Sequence, residues 1–296
     1  MTELLIETHS LTKTYGGVEA VRSLNLEVPE GSICGFLGKN GSGKSTTIKM
    51  LLGMTWPSAG NGMVLGQSIR DARASVEVRR RIGFVSEDKR LYHYMTVEQM
   101  IRFTSSFFPK WRVDLEQQLL RQFQLPVKRK TGHLSKGMRT KLALLLALCR
   151  EAELLILDEP TEGLDPVATE EILQLLTKMA AGGTSIFFSS HQIAEVEQIA
   201  DRVAIINDGS LIVQESLDHL KERYRRIQLL FDRDVPQKWL KIPGIEASHA
   251  DGRAMSVLAS SNIDEIVRIA ASLEPVSIEV TGVNLKEIFL ECVRES

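Results

Sequence analysis

Gly38-Lys39-Asn40-Gly41-Ser42-Gly43-Lys44-Ser45-Thr46 is the stretch that decides the fold. It fits the phosphate-binding pattern GxxxxGK[ST] at Gly38, Gly43, Lys44 and Ser45. Upstream, Ser32 to Leu37 reads as a buried strand; downstream, Ser45 to Leu52 reads as a helix ending near Gly53. Strand, glycine loop and helix together separate this motif from a chance glycine-rich turn. Glycines let successive backbone N–H groups converge on phosphate oxygens, and the helix N-terminus adds a positive dipole end. Lys44 is spaced to reach the β- and γ-phosphates, and Ser45 to hold Mg²⁺. Alone, the motif predicts no more than nucleoside triphosphate binding.

The other 287 or so positions bound the answer, within a chain of 296 residues. That length suits one large domain plus a small one. Hydrophobic residues at 43% and charged residues at 25% are ordinary for a globular protein. A net charge of −2 gives no electrostatic case for a nucleic-acid partner. Cys34, Cys149 and Cys292 are scattered, which suggests neither a disulfide framework nor a zinc site and fits a reducing cytosol. Met1 to Ser10 lacks the basic start and apolar core of a signal peptide. The longest apolar run, Leu142 to Cys149, is too short to span a bilayer, so work at a membrane would need another anchor.

Taken in order, Leu4 to Tyr15 reads as a strand ending in a turn at Gly16-Gly17, and Leu24, Leu26 and Val28 as one half-buried strand. Tyr15 suits either stacking on a nucleotide base or ordinary packing. Ile82 to Val85 is a short apolar strand with Ser86-Glu87-Asp88 at its end, where ligand groups collect in open α/β sheets. A carboxylate there serves Mg²⁺, or else lies in a solvated loop. Arg79-Arg80-Arg81 reads as a solvated face. Two amphipathic helices fit between Thr96 and Leu125, with Phe107, Phe108, Pro109 and Trp111 between them as expected core. Ser135 is placed to cap a strongly apolar helix running to Cys149, and Gly137 allows close backbone approach, so capping and a second anion site are both open. Leu154 to Leu157 is a buried strand ending in Asp158-Glu159-Pro160, the arrangement of an Mg²⁺-binding carboxylate beside a proton acceptor. Asp165 and Pro166 start a helix that Gly182-Gly183 stop, and Ser185 to Ser189 forms a strand tipped by Ser190-His191. That His is either structural or a γ-phosphate contact. Asp208-Gly209 joins two strands as a hairpin. From about Arg226 the pattern changes to a compact α+β module with no recognisable chemistry.

The phosphate loop, Leu134-Ser135-Lys136-Gly137-Met138, Leu154 to Pro160, Gly163-Leu164-Asp165 and Ser189-Ser190-His191 occur in that order on one chain. This combination resembles the ATP-binding cassette (ABC) ATPases over roughly residues 1–220. The resemblance implies a RecA-like α/β P-loop NTPase core with an antiparallel β part and a helical subdomain at about 88–150. Residues 226–296 then form a small C-terminal α+β accessory domain. It implies that Tyr15 stacks on adenine, that Gly38, Lys39, Asn40, Gly41, Ser42, Gly43, Lys44, Ser45 and Thr46 cradle the phosphates of ATP, and that Ser135 and Gly137 form the signature. Ser45, Glu87 and Asp158 then serve Mg²⁺, Glu159 is the catalytic base, Asp165 lies in the dimer-contact loop and His191 is the γ-phosphate switch. Two departures stand out: Lys136 and Met138 replace the Gly and Gln of the common LSGGQ, and Glu87 replaces the usual Gln. Both resemble an exporter branch whose partners are ABC-type-two permeases, and stretches like Phe108 to Glu116 and Leu134 to Arg139 recur in its single-cassette bacterial members. The resemblance implies a live ATPase, working as a homodimer or with a paralogous ATPase, peripheral on the cytoplasmic face of the membrane through an integral permease subunit. A soluble cassette acting on ribosomes or nucleic acid, an importer ATPase, and a permease-bound regulator sensing through residues 226–296 are the competing expectations. No basic charge excess or second cassette favours the first of these, and extension of a dimer interface is the simpler use of the last module.

Overall fold

The computed structural model describes residues 3–233, 235 and 242–294. Two units are distinguished, with the boundary between Gln214 and Glu215. In the first, β1 (Leu4–Tyr15) ends at Gly16-Gly17, both at positive φ. The single strand expected through Leu24 and Val28 is split into β2 (Val18–Leu24) and β3 (Glu27–Pro29). Both pair with β1. At the break the Thr8 hydroxyl donates to the Leu24 carbonyl (2.9 Å) and accepts from the Leu26 amide (2.7 Å), replacing ladder bonds. Leu24, Leu26 and Val28 stay buried regardless, so the alternation survives the interruption.

β4 (Ile33–Leu37) is buried throughout and leads through the glycine loop into α1 (Lys44–Leu51). The stretch after Gly53, which carries no clear sequence pattern, forms β5 (Ala59–Val64), β6 (Gln67–Ser68) and α2 (Ala72–Arg81), the last capped by Asp71. These complete an antiparallel sheet in the order β2-β1-β5-β6, with β3 on β1. Of the three arginines closing α2, only Arg80 is exposed as expected. Arg79 donates to the Leu52 carbonyl (2.9 Å), and Arg81 grips the Glu153 carboxylate with two bonds of 2.7 and 2.6 Å.

β7 (Ile82–Val85) is followed by three helices. Thr96 and Gln99 make a reciprocal capping box on α3 (Val97–Ser105); α4 (Val113–Gln122) follows, and Ser135 caps α5 (Lys136–Leu148). β8 (Leu154–Asp158) is buried from end to end. Asp165 caps α6 (Pro166–Ala181), with Pro166 where its missing N–H costs nothing. β9 (Ser185–Ser190), α7 (Ile193–Ile199), β10 (Arg202–Asn207) and β11 (Ser210–Ser216) complete the unit. Asp208 and Gly209, both at positive φ, make the β10–β11 turn.

The second sheet runs β11-β10-β4-β9-β8-β7. All pairs from β10 to β7 are parallel, with Leu37 opposite Ser190, Asp158 opposite Ser189 and Val85 opposite Leu157. The C-terminal ends of β4, β7, β8 and β9 therefore share one edge, the ligand edge of an open α/β sheet. Phe36 and Phe187 meet between neighbouring strands, ring centroids 5.3 Å apart.

The second unit comprises α8 (Leu217–Arg223), β12 (Arg225–Leu230), β13 (Ile245–Asp251), β14 (Ala254–Ala259), α9 (Ile263–Ala271), β15 (Ser277–Gly282) and α10 (Leu285–Arg294). Its antiparallel sheet has the order β13-β14-β12-β15. Ile227, Leu229, Met255 and Val257 point inward and pack with Ile266 and Ala270 of α9.

Phe187→Ala removes a fully buried ring from the parallel sheet. The expected loss is about 3–5 kcal/mol, read as a lower urea midpoint for the first unit. A change below about 1 kcal/mol would mean that the surrounding core closes over the void.

Candidate active site

The glycines of the loop after β4 have different reasons to be glycine. Gly41 and Gly43 have φ of +82° and +108°, where side chains are strained. A Cβ on Gly38 would lie 2.3 Å from Ser42 Oγ and 2.6 Å from the Ile206 carbonyl; one on Gly43 would lie 2.5 Å from the Ala20 carbonyl. Gly209, in the β10–β11 turn, donates to the Ser42 carbonyl at 3.0 Å and so pins the loop from outside. Lys44 is buried and folds back, its Nζ donating to the carbonyls of Gly38 (2.8 Å) and Lys39 (3.2 Å).

Asp158 and Glu159 end β8 side by side. Ser189 Oγ, on the adjacent strand, donates to Asp158 Oδ1 at 2.6 Å and accepts from the Glu159 amide at 3.1 Å. Glu159 has φ +50°, the left-handed region that a non-glycine residue occupies only when its surroundings enforce it. Its carboxylate lies 2.8 Å from His191 Nδ1 through one oxygen and 3.9 Å from Lys44 Nζ through the other. Burial pushes the Glu159 carboxyl above the usual carboxylate range, against the pull of His191 and Lys44. Burial likewise pushes the Lys44 ammonium down, against Glu159, Asp158 and Glu87. Each group thus favours the charge of the other in a site where burial disfavours both.

Asn40, Gly41 and Gly43 to Thr46, with Ala20, Glu87 and Glu159, line a cavity of about 300 Å³. Within it Ser45 Oγ donates to Glu87 Oε2 at 3.3 Å. These are hard oxygen donors, the type that suits Mg²⁺. Among the described residues no group of three or more His, Cys, Asp or Glu forms a cage, so a cation here would depend on phosphate oxygens and water for the rest of its shell.

The sheet thus assembles Lys44, Ser45, Glu87, Asp158, Glu159 and His191 from four strand ends. Other candidates lie elsewhere. Tyr15 is 48% exposed, with the Lys13 ammonium 4.8 Å above its ring, so it is not the core residue that ordinary packing would make it. Ser135 Oγ accepts from the Met138 amide at 3.2 Å, and Gly137 faces the Gly163 carbonyl. Neither lines the cavity of its own chain. Two participants escape sequence reasoning. Ser189 reads as an ordinary strand residue. Lys89, two positions after Glu87, belongs to no motif, yet is buried and donates to the Glu159 carbonyl at 2.7 Å. No local pattern distinguishes either, because both roles depend on the neighbouring strand.

Residues 21–162 match the ABC transporter family. The chain is 38% identical over 225 residues to the bacitracin transport ATP-binding protein BcrA of Bacillus licheniformis, covering 75% of this chain and 73% of that one. It is 29% identical over 287 residues to the ABC transporter ATP-binding protein YtrB of Bacillus subtilis, covering 97% of each, so the likeness to YtrB extends through the second unit. A solved ATP-binding subunit of an ABC transporter superposes with a TM-score of 0.67 at 30% identity, over 74% of this chain and 92% of that one. No helix among the described residues is long and apolar enough to cross a membrane. The sheet that carries the phosphate loop and paired carboxylates, and the extent of likeness to BcrA, lead to one family: the chain belongs to the ATP-binding proteins of ABC transporters and is an ATP-hydrolysing subunit.

Proposed function

We propose that the cavity beside Lys44 and Glu159 holds ATP with Mg²⁺, and that two such subunits close on two nucleotides to drive export through a separate integral permease. The observation that carries this reading is the division of the site. The loop, Glu159 and His191 meet in one place, while Ser135 and Gly137 of the same chain lie outside it. A second chain is needed to bring a signature to each nucleotide. The motif set is complete, so a homodimer suffices, and a paralogous partner would fit the same geometry.

In this reading Lys44 leaves the Gly38 and Lys39 carbonyls for the β- and γ-phosphates, and the loop amides take the remaining oxygens. Ser45, Glu87 and Asp158 would hold Mg²⁺, which when bound would supply charge neutralisation at the phosphates. Glu159 accepts the proton of the attacking water. The His191 Nδ1 contact keeps that carboxylate oriented and leaves Nε2 for the γ-phosphate. Tyr15, exposed at the end of β1, stacks on adenine. Asp165 lies in the loop that meets the second chain. Domain roles follow: residues 1–220 act as the cassette, with a helical subdomain at about 88–150, and residues 226–296 extend the dimer interface. The bacitracin transport relatives and the exporter-like Lys136 and Glu87 support export. The chain would then lie on the cytoplasmic face, held by the permease.

The segment between β7 and α4 supports a permease contact there. Tyr92, Tyr94, Phe103 and Phe107 form a chain of ring contacts with centroids 5.8, 5.5 and 5.1 Å apart. Tyr94 is 67% and Phe107 60% exposed, so Phe107 is not the core residue its composition suggests. Contiguous exposed aromatics mark an interaction site, and this one follows directly after Glu87 in the chain.

Three outcomes are expected. Glu159→Gln should bind ATP, lose at least about 100-fold in turnover and accumulate as a nucleotide-bound dimer on size exclusion; turnover at the wild-type rate would remove Glu159 as the base. Because His191 lowers the pKa of the buried Glu159 carboxyl, His191→Ala should move the acid limb of kcat/KM to higher pH, and an unmoved limb would separate the two residues functionally. Tyr94→Glu with Phe107→Glu should abolish co-purification of the membrane subunit from the native host while the isolated chain still binds ATP; retained co-purification would place the permease contact elsewhere.

A further inference from the structure

Lys136 stands where the common signature has glycine, and its side chain does not extend away from the fold. Its aliphatic part lies across Gly163, where an added Cβ would be 2.7 Å from Lys136 Cγ and Cδ. Its ammonium meets Glu162 Oε1 at 2.6 Å. The other oxygen of Glu162 lies 3.9 Å from Lys89 Nζ. Lys89, with a side chain only 4% exposed, donates in turn to the carbonyl of Glu159 at 2.7 Å. One helical turn beyond Lys136, Thr140 Oγ1 is shared by the Lys136 carbonyl at 3.3 Å and the Glu162 carbonyl at 3.1 Å. A continuous line of charged groups therefore joins the first residue of the signature helix to the backbone of Glu159.

We propose that Lys89 is a positioning residue for Glu159, held in place by Glu162 and Lys136, so that the setting of the signature helix governs the aim of the base in the same chain. The proposal rests on the reading of Glu159 as that base. Its physical ground is the backbone of Glu159. A left-handed glutamate persists only if its surroundings hold it. The Ser189 hydroxyl holds its amide and the Lys89 ammonium holds its carbonyl, so both sides of the residue are fixed. Lys89 is buried, and Glu162 faces its ammonium at 3.9 Å. Glu162 in turn accepts a hydrogen bond from Lys136. Loss of Glu162 leaves a buried ammonium short of its partner, which is the costly way to break such a pair. Loss of Lys136 leaves Glu162 free to rotate away from Lys89. The lysine in the signature and the glutamate before Gly163 act together.

The test is steady-state ATP hydrolysis by the full-length chain with Mg²⁺, comparing Lys89→Met, Glu162→Gln, Lys136→Met, the Lys136→Met/Glu162→Gln pair and Glu159→Gln. Lys89→Met is expected to lower kcat about 10- to 100-fold, the penalty of a misaimed base, with KM for ATP within about twofold. Lys136→Met and Glu162→Gln, at more open positions that the fold tolerates, are each expected to lower kcat about 3- to 10-fold, and the pair no further than Glu162→Gln alone, because groups acting as one unit are non-additive. A merely structural role predicts instead a lower melting temperature with unchanged kcat among folded molecules. A kcat for Lys89→Met or Glu162→Gln within about twofold of wild type, losses that multiply in the pair, or a raised KM with unchanged kcat for Lys136→Met would each overturn the proposal. The Glu159→Gln arm keeps the two claims apart: if it retains wild-type turnover the base assignment fails, and if it is inactive while Lys89→Met is normal only the positioning claim fails.

Discussion

Parallel pairing is the constraint on which the rest of this protein depends. A parallel strand must be followed by a crossover before the next can pair beside it, so successive strands end on the same edge of the sheet. Here that places the loops after β4, β7, β8 and β9 together. Residues 44, 87, 159 and 191 lie far apart in the chain, yet one sheet edge collects them. The full burial of β4, β8 and β9 then makes the edge rigid, which suits groups that must be held to within fractions of an ångström.

That edge is a poor place for isolated charge. Lys44, Lys89, Asp158 and Glu159 are all buried. Each is partnered: Lys44 and Lys89 donate to backbone carbonyls, Asp158 accepts from Ser189, and Glu159 faces His191 and Lys44. A buried charge persists only with such partners. Burial raises the Glu159 carboxyl above the usual carboxylate range while His191 and Lys44 oppose that rise, and the packed strand end keeps the residue in a backbone conformation it would leave in a free chain. Polarity at the site and strain at the site have one origin, the termination of a buried strand in two adjacent carboxylates.

The departures in the signature take on a different meaning once folded. Lys136 and Glu87 read as substitutions that add charge where a relative has none. In the structure Lys136 is neutralised by Glu162 and Glu87 accepts from Ser45.

Residues adjacent in the chain carried most of the fold. The glycine loop between a buried strand and a helix, the apolar runs ending at Asp158 and His191, and the Asp208-Gly209 turn are local patterns, fixed by backbone sterics, capping and burial over a few positions. The split between β2 and β3, the strands after Gly53 and the role of Arg81 were not legible, because each depends on a hydroxyl, an edge or a carboxylate supplied from elsewhere in the chain. The same division runs through the site. Residue types and spacing marked Lys44, Asp158 and Glu159 as chemistry and left His191 open between a structural and a γ-phosphate role. Only the packed sheet brought the Lys89 ammonium to the Glu159 carbonyl, turned Tyr15 and Phe107 outward, and set Ser135 apart from its own phosphate loop. Burial and hydrogen-bond partners belong to neighbours in space, and a linear chain records neighbours in order.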